Sequence, residues 1–222
     1  MWYYERRLEF PVNIKEPNAR LAQAIISQYG GPDGEMGASM RYLSQKFATP
    51  YKEVAGVLND IGTEELGHLE IVGAIVYQLT RNLSMEEIEK SGFDKYYVDH
   101  TLGVWPQAAG GVPFTANQFQ STGDIITDLF EDMAAEQKAR TTYDNILRLV
   151  DDPDVCAPIR FLREREIVHF QRFGEALRIT PENLNSKNFY AFNPGFNPGF
   201  DRCKDCDDTP VNTSGCDCGC NN

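Results

Sequence analysis

Apolar side chains recur every three or four residues along four segments of the chain, a spacing typical of helices that bury one face. We expect these helices at about residues 32–46, 51–79, 121–150 and 153–178, with a separate short turn at 180–182. Short linkers join the first helix to the second and the third to the fourth, so each of these pairs should be antiparallel. The pattern therefore predicts an all-α bundle.

The segments outside these helices are richer in turn-forming residues. Residues 1–16 are predicted to form an extended arm, and residues 18–29 a further helix. Ser84 begins a capping-box pattern that starts a short helix at about 85–91. Residues 92–118 contain many glycines and prolines, which predicts an irregular crossover loop. A four-helix bundle with one long crossover and short extra helices is the ferritin-like arrangement.

The second of the four helices carries two polar residues in the middle of its apolar face. That face reads Leu58, Ile61, Glu65, His68, Val72, Ile75 and Leu79. Glu65 and His68 are three residues apart and therefore lie on the same side of the helix. Because an isolated buried charge is costly, this pair must have a partner or bind a metal.

The same Glu-x-x-His pattern returns in the apolar stripe of the fourth helix, as Glu166 and His169. Glu35 and Glu136 lie on the inner faces of the first and third helices. Ferritin-like dinuclear carboxylate proteins use one glutamate from each of two helices and a Glu-x-x-His pair from each of the other two. The sequence therefore predicts a two-metal site, and its carboxylate and imidazole ligands suit manganese or iron.

Other polar and aromatic residues have simpler interpretations. Glu64 and Glu70 are off the inner face of their helix, so we expect them at the surface. Tyr42 and Tyr143 are first interpreted as core aromatics, and His100 as a structural residue of the crossover. The candidate ligands are therefore confined to the four inner faces.

Four short segments carry a resemblance to a known family. They are GGPDGE at 30–35, MRYLSQ at 40–45, DIGTEELGH at 60–68, and Arg165-Glu166-x-x-His169. In motif, order and spacing the chain resembles the manganese (non-haem) catalase family over about residues 1–193. The likeness is strongest to the short members of that family from the spore coat of endospore-forming bacteria.

The resemblance implies a role for each candidate residue. Two manganese ions per chain would be bound by Glu35, Glu65, His68, Glu136 and His169. Glu65 would bridge the two ions, Glu166 would be an acid–base group beside the terminal solvent, and Tyr42 would lie next to the cluster. The chain departs from the larger catalases at Ala135, where they carry an arginine.

The activity implied by the resemblance is the disproportionation of hydrogen peroxide to water and dioxygen by a homohexamer. Two other functions fit the same residues. One is a di-iron peroxidase or oxidase, because the ligands separate iron from manganese poorly. The other is a structural spore coat protein with little turnover. An iron store is disfavoured, because storage needs a cage that the sequence does not indicate.

Composition narrows the set of partners. The chain has 222 residues and a formal net charge of −12 at pH 7, which disfavours binding to nucleic acid through its phosphates. No apolar run is long enough to cross a membrane, and the N-terminal sequence lacks the apolar core of a signal peptide. These features predict an intracellular protein, and the resemblance implies a cytoplasmic or spore coat location, with hydrogen peroxide as the substrate and other spore coat proteins as further partners.

The C-terminal part differs in character from the rest. Residues 1–193 are predicted to form the catalase-like domain, and residues 194–222 a flexible strap and tail. Five of the six cysteines lie in this tail: Cys203, Cys206, Cys216, Cys218 and Cys220. Their spacing leaves three interpretations open, namely metal binding by thiolates, disulfide cross-linking between subunits, and a disordered reduced tail.

Overall fold

A computed structural model describes residues 4–184 of the chain, and the regular structure there is helical without a strand. The helices are α1 (Ala19–Ile25), α2 (Ser27–Gly30), α3 (Glu35–Gln45), α4 (Lys52–Thr80), α5 (Met85–Ser91), α6 (Asp94–His100), α7 (Ile125–Leu147) and α8 (Pro153–Leu184), with one 3-10 turn at Ala116–Gln118. None of the described helices is both long and apolar enough to cross a membrane. The predicted domain boundary at residue 193, the strap and the cysteine-rich tail lie outside the described residues.

The four longer helices pack as two pairs. Helix α3 packs on α4, and α7 packs on α8, as their short linkers predicted. Contacts of α4 with α8 and of α3 with α7 close the bundle, while α1 packs against α4. The predicted all-α, ferritin-like four-helix bundle with one long crossover is therefore confirmed.

A polar layer divides the core of the bundle into two apolar clusters. The first cluster includes Leu58 from α4 and Phe173 from α8. The second includes Ile71 from α4 and Leu162 from α8. Along α4 the chain passes from the first cluster to the second, and along α8 it passes in the opposite direction. The two Glu-x-x-His motifs therefore lie at the same level, between the clusters.

The connection between α4 and α7 is more helical than expected. The capping box is confirmed: Ser84 accepts a hydrogen bond from the backbone N–H of Glu87, whose carboxylate accepts one from the backbone N–H of Ser84. The prediction of an irregular loop over 92–118 is wrong at residues 94–100, which form α6. Only Tyr96 of that helix is buried, so no periodic apolar stripe marks it in the sequence.

Two helix ends also differ from the prediction. Helix α7 begins later than predicted, because Asp124 caps it by accepting a hydrogen bond from a first-turn N–H. The predicted end of the last helix near residue 178 and the separate turn at 180–182 are wrong, since α8 continues to Leu184. Thr180 is buried and donates its hydroxyl to a carbonyl one turn earlier, as a residue within a helix can. The proline that follows removes one backbone hydrogen bond, but this loss does not have to end the helix.

The crossover lies against the segment that leads into α3. A Cβ atom added to Gly30 would lie 2.5 Å from the backbone nitrogen of Gln107, so only glycine fits at that position. Just beyond this contact the chain doubles back, and the N–H of Ala108 donates to the carbonyl of Val112 at 2.8 Å. The crossover is thus anchored a few residues before Glu35.

Candidate dinuclear metal centre

The polar layer brings together all six residues that the sequence placed on the inner faces. They are Glu35 of α3, Glu65 and His68 of α4, Glu136 of α7, and Glu166 and His169 of α8. Each of them has at most 1% of its surface exposed. The three-residue spacing sets the glutamate and histidine of each motif side by side, and the packing of four helices brings their inner faces together.

Glu65 lies between the two imidazole rings. Its Oε2 is 2.8 Å from Nδ1 of His68, and its Oε1 is 2.7 Å from Nδ1 of His169. The two rings are stacked, with centroids 5.4 Å apart. One carboxylate thus contacts the inner nitrogens of both rings, which is the arrangement expected of a carboxylate that bridges two ions.

The other three carboxylates surround this central group at longer distances. Oε2 of Glu136 is 3.6 Å from Nδ1 of His169. Oε2 of Glu35 and Oε1 of Glu166 are 4.0 and 3.9 Å from Nδ1 of His68. Each imidazole therefore faces Glu65 and at least one further carboxylate across a small buried space.

Two buried tyrosines hold the outer glutamates by bonds that cross the bundle. Tyr42 of α3 donates its hydroxyl proton to Glu136 of α7. Tyr143 of α7 donates its hydroxyl proton to Glu35 of α3. The interpretation of these tyrosines as core aromatics is incomplete, because both are fully buried and also bonded to candidate ligands. Tyr143 was missed as a site residue, since nothing in the sequence links it to a glutamate on another helix.

The prediction that Glu64 lies at the surface is wrong. Its side chain is only 17% exposed and faces the outer nitrogens of both histidines, with Oε1 3.6 Å from Nε2 of His68 and Oε2 3.3 Å from Nε2 of His169. Nε of Arg165 donates to Glu64 at 2.6 Å. The four-residue spacing between Glu64 and His68 was the available signal. Glu70 is exposed, as predicted.

Burial and mutual proximity set the protonation of the centre. Burial raises the pKa of Glu35 and Glu166 well above the usual value, and neighbouring carboxylates raise it further. Burial also favours protonation of Glu65, but the two imidazoles outweigh it and lower the pKa of Glu65. Burial disfavours the charged rings, yet the carboxylates, with Glu65 foremost, raise the pKa of His68 to about 10 and that of His169 to about 12. Metal binding here must displace protons.

The donor atoms of this layer fit a metal centre. One donor atom each from Glu65, His68, Glu166 and His169 lies within 4.8 Å of the others. Four buried atoms that could bind a metal ion take part in no well-aligned hydrogen bond: Oε1 of Glu65, Oε2 of Glu136, Oε1 of Glu166 and Nδ1 of His169. Buried polar atoms normally have partners, so these atoms are available to a cation. Their mixture of carboxylate oxygen and imidazole nitrogen suits manganese or iron.

A narrow cavity between α3 and α7 reaches this layer. It extends from Pro32 at the surface to Glu136 and Glu166, and its volume of about 10 Å³ is close to the smallest that can hold one water molecule. Ala135 and Arg41 also line it. A cavity of this volume has room for a molecule no larger than a few atoms.

Comparison with known proteins gives a consistent result. Residues 1–190 match the family model of manganese containing catalase. Protein CotJC of Bacillus subtilis (strain 168) is 47% identical over 190 residues, which are 86% of this chain and 100% of CotJC. A probable manganese catalase of Clostridium acetobutylicum is 34% identical over 191 residues, or 85% of each chain.

A solved structure supports the same assignment. KatB, a manganese catalase from Anabaena, matches this fold with a TM-score of 0.76 and 32% identity, covering 85% of this chain and 84% of KatB. The matched part contains every residue of the buried carboxylate–histidine layer, from Glu35 to His169. The chain therefore belongs to the manganese-containing catalase family.

Proposed function

We propose that the protein is a dimanganese catalase that converts two molecules of hydrogen peroxide into two of water and one of dioxygen. The observation that carries this proposal is the Glu65 carboxylate in contact with the inner nitrogens of both histidines within a buried layer. The proposed ligands are Glu35, Glu65, His68, Glu136 and His169, with Glu65 bridging the ions. Membership of the family favours manganese over iron, which the same donors could also bind.

The reaction consists of two balanced halves. In one half, hydrogen peroxide takes up two electrons and two protons, its O–O bond breaks, and two waters form. In the other half, a second hydrogen peroxide gives up two electrons and two protons and becomes dioxygen. A manganese pair held by these ligands would supply the redox chemistry, since it could store the two electrons between the halves. The side chains must therefore exchange two protons within a layer that excludes bulk water.

Glu166 is the best-placed proton carrier. It lines the inner part of the cavity, its Oε1 has no hydrogen bond, and its pKa is raised well above the usual value by burial and by Glu35. A carboxyl group with a raised pKa can both accept and return a proton near neutral pH. Tyr42, through its hydroxyl bond to Glu136, holds that ligand at the same cavity.

We further propose that the protein resides in the spore coat and assembles as a homohexamer. The match to CotJC over its full length and the resemblance to the short spore coat members support the location. The hexameric assembly implied by the family supports the second proposal. Immunoblots of purified spore coats should detect the protein, and light scattering should give the mass of six 25.1-kDa chains.

The test of activity combines elemental analysis with an oxygen electrode. Protein purified from manganese-supplemented cells should contain about two manganese ions per chain and release dioxygen when hydrogen peroxide is added. Iron in place of manganese, with peroxide consumed and no dioxygen released, would identify a di-iron peroxidase instead. Absence of both metals and of activity would leave the alternative of a structural spore coat protein.

A further inference from the structure

The two histidines of the centre have an inner and an outer side. Their Nδ1 atoms face Glu65, at 2.8 Å for His68 and 2.7 Å for His169. Their Nε2 atoms point away from Glu65, are buried, and have no well-aligned hydrogen bond. An imidazole that binds a metal through one nitrogen carries its proton on the other, and a hydrogen-bond acceptor normally fixes that arrangement.

A single carboxylate faces both outer nitrogens. Oε2 of Glu64 lies 3.3 Å from Nε2 of His169, and its Oε1 lies 3.6 Å from Nε2 of His68. Within residues 4–184, the other carboxylate that comes within 4.0 Å of either Nε2 is the more exposed Glu9, at 3.9 Å from His68. Glu64 thus presents one oxygen to each ring.

Arg165 holds Glu64 in this position. Its Nε donates to Oε1 of Glu64 at 2.6 Å, and it precedes Glu166 in the motif of α8 just as Glu64 precedes Glu65 in the motif of α4. An ion pair with Arg165 needs only one carboxylate oxygen. The second oxygen is directed at His169, which a purely structural link between α4 and α8 would not require.

We propose that Glu64 is a positioning residue that serves both histidines at once. As each Nδ1 binds a metal ion, Glu64 accepts the Nε2–H of the same ring and so holds both rings in one tautomer and orientation. The affinities of the two metal positions therefore depend on one carboxylate outside the ligand set. The inference rests on the proposed dinuclear site.

Substitutions at position 64 distinguish this role from that of an ordinary ion pair. In Glu64→Gln, the amide offers one acceptor oxygen, so it can support one ring but not both. In Glu64→Ala, neither ring is supported. In Arg165→Gln, the Glu64–Arg165 ion pair is broken but the carboxylate of Glu64 remains. If Glu64 serves only as a structural ion pair, this variant should lose as much metal affinity as Glu64→Ala. If Glu64 positions the histidines, the loss of metal affinity should be smaller. Glu164→Gln is the matched control, since it makes the same charge change at an exposed neighbour of Arg165.

The first measurement is the binding of Mn²⁺ to metal-free protein, with free Mn²⁺ followed by electron paramagnetic resonance. Loss of an outer partner of a metal-bound histidine typically costs about 10–100-fold in affinity. We expect a loss of that size at one of the two positions in Glu64→Gln and at both positions in Glu64→Ala, with no change in Glu164→Gln. Thermal unfolding of the metal-free variants checks that they are folded. If Glu64→Ala is unstable, the test relies on Glu64→Gln, which preserves the shape of the side chain.

The second measurement is a proton–nitrogen NMR spectrum of zinc-loaded protein, which is simple to assign because the chain has three histidines. The Nε2–H signals of His68 and His169 should be visible in the wild type and lost to solvent exchange in Glu64→Ala. The wild type and Glu64→Ala could both bind two manganese ions tightly and show unchanged Nε2–H signals. That result would overturn the inference about Glu64 but leave the proposed function intact. A wild type that binds no metal pair would overturn both the inference and the proposed function.

Discussion

The two Glu-x-x-His motifs follow the same pattern in the sequence but are placed differently in the bundle. Glu65 of α4 contacts both imidazoles, and they lower its pKa. Glu166 of α8 comes no closer than 3.9 Å to Nδ1 of His68, and burial raises its pKa. Two glutamates with the same motif and the same burial thus differ in the direction of their pKa shift, which is downward for Glu65 and upward for Glu166. Their surroundings, rather than the motif, decide which is which.

The residue before each motif glutamate continues this contrast. Glu64 precedes Glu65 and Arg165 precedes Glu166, and these two residues of opposite charge pair with each other outside the layer. The tyrosine bonds, by comparison, are nearly symmetric, since each crosses from one pair of helices to a glutamate of the other. The two tyrosine–glutamate bonds are therefore arranged alike, while the residues that precede the motif glutamates carry opposite charges.

The largest effect should come from neutralising the central carboxylate. In Glu65→Gln, one amide replaces the ionised group that contacts both histidines, so both metal positions lose a ligand. We expect affinity for both ions to fall by more than about 100-fold, beyond the range typical for loss of an outer partner. Metal content after dialysis measures the loss, and Glu70→Gln, an exposed change on the same helix, should retain two ions. A Glu65→Gln protein that keeps both ions would show that the two motif glutamates are equivalent.

Glu166→Gln should separate metal binding from turnover. The amide fills the same space but cannot carry a proton, so we expect both ions to remain while turnover falls by about 10²–10⁴-fold. Metal analysis together with dioxygen release decides the outcome. Loss of metal in this variant would show that Glu166 is a ligand. Its position within the group of four close residues that could bind a metal ion would be consistent with that result.

Removing the tyrosine hydroxyls should have smaller and nearly equal effects. Tyr42→Phe leaves Glu136 without its donor, and Tyr143→Phe does the same to Glu35. A buried acceptor left without its donor costs about 1–3 kcal/mol, so each variant should lose that much from its free energy of unfolding. Urea denaturation of the metal-free proteins measures the two losses. A large difference between them would show that the tyrosines are less symmetric in energy than in geometry.

The last expected effect needs no substitution and is a pH dependence of opposite sign with and without metal. The pKa of His68 is raised from 6.5 to about 10, so its contribution to stability is complete below pH 6.5 and is lost as the pH rises toward 10. Burial also raises the pKa of Glu35 and Glu166 above the usual value of 4.5. The stability that these two carboxyl groups contribute is therefore also lost as the pH rises above 4.5. The melting temperature of metal-free protein should therefore fall between about pH 6.5 and 9, by roughly 2–4 °C per kcal/mol. Metal binding releases protons, so affinity for manganese should rise over the same range. A flat or rising melting temperature without metal would contradict the assigned protonation.

Much of the bundle and the six polar residues of its inner faces could be predicted because each depends on one helix at a time. The stripe on α4 is buried along its length, so its period is regular and the two polar residues within it stand out. Helix α6 could not be predicted in the same way, because a seven-residue helix with one buried side chain has no stripe. The end of α8 was missed because Pro181 suggested a break, although the helix continues.

The residues that contact the candidate ligands were harder to predict, because they depend on contacts between distant parts of the chain. Glu64 follows the same helix as Glu65, but Arg165 and His169, which explain its position, belong to α8. The bond from Tyr143 to Glu35 joins residues 108 positions apart. Spacing along one helix reveals which residues share a face, whereas the residue that a face meets depends on the packing of the whole bundle.

The close contact at Gly30 divides the crossover into a fixed base and a free tip. At the base, the backbone of Gln107 packs against Gly30, whereas Gly110 and Gly111 at the tip are exposed, and a Cβ atom added to either would contact nothing. A short peptide tag or reporter inserted between Gly110 and Gly111 should therefore leave manganese content unchanged, whereas Gly30→Ala should lower it by displacing the start of α3. Elemental analysis of the two proteins tests this. If it holds, the tip is a place where foreign sequence can be displayed without disturbing the metal centre.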